Sequence, residues 1–74
     1  MSEHVTFEIV KHLANFGTTK DGWTKELNIV AWNGHEPKYD IREWSKDHKR
    51  MARGITLTAE EMETIANAYY SEED

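Results

Sequence analysis

The chain has no cysteine, so neither a disulfide nor a thiolate metal site can staple it. It has one proline and four glycines in 74 residues, too few for a linker, and it contains no repeat or low-complexity segment. No apolar run approaches the ~20 residues that cross a bilayer. Met1-Ser2-Glu3-His4 shows no charged segment followed by an apolar stretch. These absences lead us to expect one intracellular, cytoplasmic domain over residues 1–74, nucleoid-associated if the source is bacterial. A domain of this size hides only ~60% of its unfolded surface, and without covalent staples self-association is the usual remedy.

Basic residues are missing from one region in particular. Residues 59–74 hold six acids and no Lys or Arg, although the whole chain carries a net charge of -5. The preceding 58 residues are therefore close to balanced, with nine basic and eight acidic side chains. Residues 38–53 contain six basic residues against three acids. This asymmetry fits a basic binding region beside an acidic element.

Alternation of apolar and polar residues predicts strands, and a 3.6-residue period predicts a helix. Val5, Phe7, Ile9 and Leu13 share one parity, which predicts a first strand over 5–13 and a loop over 14–22. Leu27, Ile29 and Ala31 alternate with Glu26, Asn28, Val30 and Trp32 in a second strand over 23–32. Asn33-Gly34 favours a tight turn before Pro37. A third strand over 38–45 sets Tyr39 and Ile41 against Lys38, Asp40, Arg42 and Trp44. After a basic loop from Lys46 to Arg53, residues 55–57 form a short fourth strand. Thr58-Ala59-Glu60-Glu61 is a capping box, with Leu57 and Met62 placed as a hydrophobic staple. Met62, Ile65, Ala66 and Tyr69 then repeat at helical spacing, and Ala68 and Tyr70 widen the apolar arc beyond that of an ordinary surface helix.

The predicted fold is α+β, a four-stranded curved antiparallel sheet followed by one C-terminal helix, forming a homodimer through that helix. Phe7, Ile9, Leu27, Ile29, Tyr39 and Ile41 are assigned to a core under the helix. The opposite face carries Asn28, Val30, Trp32, Lys38, Arg42 and Trp44. Tryptophans among basic and amide side chains suit a single-strand binder, because bases stack on aromatics and Lys or Arg neutralises phosphates. The same indoles would also suit a protein-interaction module, and the pattern alone leaves both readings open. His4, His12, His35 and His48 lack metal-ligand spacing. Asp40 with His35, or Asp47 with His48, has no second carboxylate cluster to make a nuclease. An enzyme, a cofactor, a membrane partner and a small-molecule substrate are therefore not expected.

Lys38-Tyr39-Asp40-Ile41-Arg42-Glu43-Trp44, followed by a basic loop and Arg53-Gly54-Ile55-Thr56-Leu57-Thr58, resembles the transcriptional positive cofactor four family. Gly22-Trp23-Thr24-Lys25-Glu26-Leu27-Asn28 with Ala31-Trp32-Asn33-Gly34 looks like its bacterial YdbC-type branch. The resemblance runs from about Phe7 to Tyr69. It implies a dimer that binds single-stranded DNA without sequence specificity, acting in transcription regulation as a coactivator-like protein, or in replication or repair. Single-stranded RNA stays open as a partner. By the resemblance Trp32 is a base-stacking aromatic, and Arg42, Lys49 and Arg53 match basic positions. The sheet face adds Lys38 and Trp44, the twisted end of the second strand adds Lys25, and the basic loop adds Arg50. Met62, Ile65, Ala66 and Tyr69 would form the dimer interface. The chain departs from the eukaryotic pattern at Val30, where a basic residue is usual, and at Asn33, where lysine is. Nothing in residues 1–74 matches the family's serine- and lysine-rich regulatory extension.

Overall fold

A computed structural model describes residues 5–19 and 21–72; Met1-Ser2-Glu3-His4, Lys20 of the expected loop and the last two acids of the C-terminal run, Glu73 and Asp74, lie outside it. The elements follow in the expected order: β1 (Phe7–Thr18), β2 (Thr24–Trp32), β3 (Lys38–Trp44), β4 (Ile55–Leu57) and α1 (Ala59–Glu72). The strands form one antiparallel meander in the order β1-β2-β3-β4.

The β2–β3 turn follows from its residues. Asn33 and Gly34 both take positive φ, at 50° and 76°. The His35 amide closes the turn on the Trp32 carbonyl at 2.8 Å. Two consecutive left-handed residues match the twist of flanking strands, and Asn-Gly tolerates them best. Asn33 also anchors β1, its Oδ1 accepting from the Thr6 amide at 3.0 Å. The capping box forms as its spacing requires. The Glu61 amide donates to Thr58 Oγ1 at 3.1 Å, and Glu61 Oε1 accepts from the Thr58 amide at 2.8 Å.

β1 runs five residues beyond its expected end, through much of the predicted loop. Its ladder to β2 breaks at Val10, Leu13 and Phe16, each an extra residue with no partner on β2. A bulge shifts parity by one residue. That is why simple alternation ended at Leu13. The same shifts correct the assignment of Phe7 and Ile9. They pair with Trp32 and Val30, so they share the face of Trp32 and not that of Leu27.

The face of Trp32 is also the one the molecule buries. The β2–β3 ladder sets Trp44 opposite Thr24, eight residues from Trp32. In a flat sheet that separation would be about 26 Å. The two indoles nevertheless lie 6.3 Å apart and nearly parallel, at 11°. The sheet must therefore curl about this face, which becomes its inner surface. Val30 and Trp44 are fully buried there, with Asn28 and Asp40. Leu27, Ile29, Tyr39 and Ile41, the expected core, are only half-buried on the outer face. α1 packs there against β3 and β4 alone, over Leu57, and none of its residues is buried.

Gly54 is where β4 closes against β3. A Cβ there would collide with the Ile41 carbonyl and with Arg42. Both obstacles are backbone or adjacent to it, so they cannot swing aside. Gly54→Ala should cost about 1–3 kcal/mol, as overpacking does, and lower the melting temperature; unchanged melting would refute the close approach.

Candidate nucleic-acid interface

Trp44 is the centre of the inner surface. Phe7 packs on it at 5.0 Å between ring centroids, and the His48 imidazole stacks at 5.9 Å. Phe7 also meets Trp32 at 5.9 Å. With 0% exposure, Trp44 has no surface to offer a base, which corrects its assignment as a contact residue. It is the floor on which Trp32 rests. Alternation gave its face correctly, but it could not reveal that the curl and the basic loop enclose it.

The loop between β3 and β4 folds back on the sheet. Ser45 donates its amide to the Arg50 carbonyl at 2.9 Å, and Ala52 donates to the Glu43 carbonyl at 3.0 Å. His48, in a left-handed conformation with φ 60°, reaches β2, where its Nε2 donates to Glu26 Oε2 at 2.8 Å. Asn28 Nδ2 donates to the other Glu26 oxygen at 3.0 Å, while Asn28 Oδ1 accepts from His12 Nδ1 at 2.7 Å. Burial pushes the Glu26 carboxyl up. The hydrogen bonds from Asn28 and His48, with the charges of His48 and His12, outweigh that and hold it below its ordinary value of 4.5. Strand parity placed Asn28 on this face, and His48 was weighed only as a metal or nuclease candidate; neither was connected to Glu26. The available signal was an acid and an amide at successive inward positions of an otherwise apolar strand.

Arg42 is committed within the protein. Its Nε and Nη2 donate to the two oxygens of buried Asp40 at 2.6 and 2.8 Å, and Nη1 donates to the Ala52 carbonyl at 3.3 Å. Thr56 Oγ1 completes the Asp40 shell at 3.0 Å. The guanidinium carbon lies over Trp32, 4.7 Å from the ring centroid. Its charge is compensated by Asp40, so Arg42 offers chiefly a plane. Trp32, Arg42, Val5, Asn33, Met51 and Thr56 line an open cleft of about 430 Å³.

The other expected contacts are scattered. Lys38 stands opposite Val30 and is exposed at the inner rim. Lys49, Arg50 and Arg53 are exposed on the loop that walls the cleft. Lys25 pairs with Gly17 and Glu43 on the outer face, away from Trp32. The carboxylates weighed for a nuclease pair are engaged elsewhere. Asp40 serves Arg42, and Asp47 accepts from Ser45 Oγ at 2.8 Å and from the Lys49 amide at 2.9 Å. Among the described residues no group of His, Cys, Asp or Glu could hold a metal ion. No helix there is long and apolar enough to cross a membrane.

A curled four-stranded meander with one C-terminal helix, an aromatic and guanidinium cleft and a basic loop is the build of a nucleic-acid-binding module. Residues 19–68 match the family described as Transcriptional Coactivator p15 (PC4), and the chain belongs to it. This is a non-enzymatic family that binds single-stranded DNA and serves as a transcription cofactor. A Treponema pallidum (strain Nichols) protein named only as uncharacterized is 41% identical over 56 residues, or 76% of this chain. The match spans 66% of that relative, a little under two thirds of its length.

The lowered carboxyl of Glu26 gives a pH signature. A group depressed in the folded state adds stability that is present above its unfolded value and lost as pH falls through the folded one. Wild type should therefore exceed Glu26→Gln in stability near pH 6, and the difference should shrink as pH drops below about 4.5. Chemical denaturation of both proteins at several pH values measures it, and a gap that stays constant down to pH 3 would contradict the assignment.

Proposed function

We propose that the protein is a homodimeric, sequence-nonspecific binder of single-stranded DNA, acting in transcription regulation, replication or repair. The observation that carries this is the cleft at Trp32. A half-exposed indole with a guanidinium plane above it opens to solvent beside a basic loop. Bases stack on aromatic rings and on Arg planes alike, at ~1–3 kcal/mol each, and any base has such a face. Lys38 on β3 and Lys49, Arg50 and Arg53 on the loop are exposed cations that would meet the phosphates of a bound strand. Lys25, on the outer face, would reach only a strand that wraps the sheet end. Single-stranded RNA offers the same stacking faces and is the natural comparison in any titration.

The dimer is argued from the uncovered outer side. Ile65, Tyr69 and Tyr70 of α1 are 48%, 63% and 69% exposed, and Ile55 on the same side of the sheet is 54% exposed. Met62 is half-buried and Ala66 exposed beside them. So much apolar surface on so short a chain marks an association site. A second copy would bury it and leave the inner face and its cleft free.

Trp32→Ala should weaken binding to oligo-dT by about tenfold, the equivalent of one lost stack, while the sheet remains folded. An affinity equal to wild type would remove Trp32 from the site. Wild-type affinity should also fall with salt, by ~0.7 in log K per log unit for each phosphate contact. A protein-docking role for the same face would show no such slope. For the dimer, Ile65→Asp should give monomers in sedimentation, because a carboxylate buried without a partner is costly. A wild type that sediments as a monomer at micromolar concentration would refute the dimer outright.

A further inference from the structure

We infer that a second base-stacking subsite lies at Trp23, on the far side of the basic loop from Trp32. An open cleft of about 520 Å³ is lined there by Asp21, Trp23, Ser45, Lys46, Asp47 and Arg50. Trp23 takes no part in the Trp32 cleft. In the structure Trp23 is half-exposed, with the Arg50 guanidinium 5.8 Å from its ring centroid. That is near the ~6 Å limit of a cation–π contact. The loop's main chain is fixed by Ser45 Oγ, which accepts from the Arg50 amide at 3.0 Å. The Arg50 side chain is exposed, so it can yield its place over the ring to a flat group.

The occupant is a nucleobase rather than a phosphate. Two carboxylates share the walls with the two cations. Hydrogen bonds from the Lys49 amide and the Ser45 hydroxyl hold the Asp47 carboxyl below its ordinary range, so it stays an anion beside the ring. A phosphate seated between Asp21 and Asp47 would be repelled, whereas an uncharged base stacked on Trp23 would leave its phosphates outward, near Lys46 and Arg50.

The inference rests on the single-strand reading above and extends it. One loop walls both clefts, with Met51 lining the Trp32 side and Lys46 and Arg50 the Trp23 side. Even along the contour of β2, Trp23 and Trp32 are at most roughly 30 Å apart. A twelve-nucleotide strand spans about 40 Å at stacked spacing. One strand can therefore cross the loop and stack at both ends.

The test uses the full chain and a labelled twelve-nucleotide oligo-dT, read by fluorescence anisotropy. Trp23→Ala should weaken binding about tenfold, Trp23→Tyr should restore most of the loss, and Arg50→Ala should weaken it and reduce the salt slope. Trp23→Ala binding within twofold of wild type would overturn the subsite. Should that variant fail to fold, photocrosslinking wild type to the same strand carrying iodouracil decides the matter. Cross-links at both Trp23 and Trp32 support the subsite, and cross-links at Trp32 without Trp23 overturn it. Wild type that does not bind the strand at all would instead sink the single-strand reading itself.

Discussion

Everything in this small molecule turns on the enclosure of Trp44. The indole lies between Phe7 from β1 and His48 from the basic loop, with Trp32 stacked beyond. Phe7 and Trp32 are remote from Trp44 along the ladder, so their contacts with it exist only if the sheet curls. Curl and burial therefore depend on each other. The burial of a large aromatic, worth several kcal/mol if truncated, is coupled to the position of the surface ring resting on it. The interior thus acts as the mount of the binding face.

The polar shell around that interior explains how a loop with several cations stays in place. Asp40 takes both prongs of Arg42, and Arg42 in turn holds the Ala52 carbonyl and covers Trp32. Glu26 receives His48 from the loop and Asn28 from its own strand. Both carboxylates are almost wholly buried. Such groups are costly unless their lone pairs are filled, and here most of the fillers come from, or brace, residues 42–56. The negative charges that attach the loop are thereby hidden, while Lys49, Arg50 and Arg53 remain outside. The acidic helix lies on the other face of the sheet. A chain with net charge -5 can therefore still present a basic rim.

Element order, the Asn33-Gly34 turn and the Thr58 cap were legible because each depends on residues close in sequence. Strand parity also placed Trp32, Arg42 and Trp44 together. The sequence did not reveal which face would be inside. Two apolar stripes of similar strength, Leu27–Ile29–Ile41 and Val30–Trp32–Trp44, compete for that role, and the outcome depends on curvature and on the folded loop. β1 was misjudged for a related reason. Its apolar residues Val10, Leu13 and Phe16 recur every three positions, a period that belongs to neither a regular strand nor a helix. The role of Arg42 as a partner of Asp40 was masked by the alternation that placed both on one face.

Those three extra residues have a mechanical effect. Twelve residues of β1 run alongside nine of β2, so one edge of the hairpin is longer than the other. A strip with unequal edges cannot lie straight, and the surplus bends it. The bending is written into the covalent chain before any side chain packs, which lowers what Trp44 must contribute to hold the curl. The same surplus interrupts the outer row of amides and carbonyls at regular intervals. An incoming foreign strand with ordinary spacing would lose register within three residues, so a long, exposed and rather apolar edge is a poor template for aggregation.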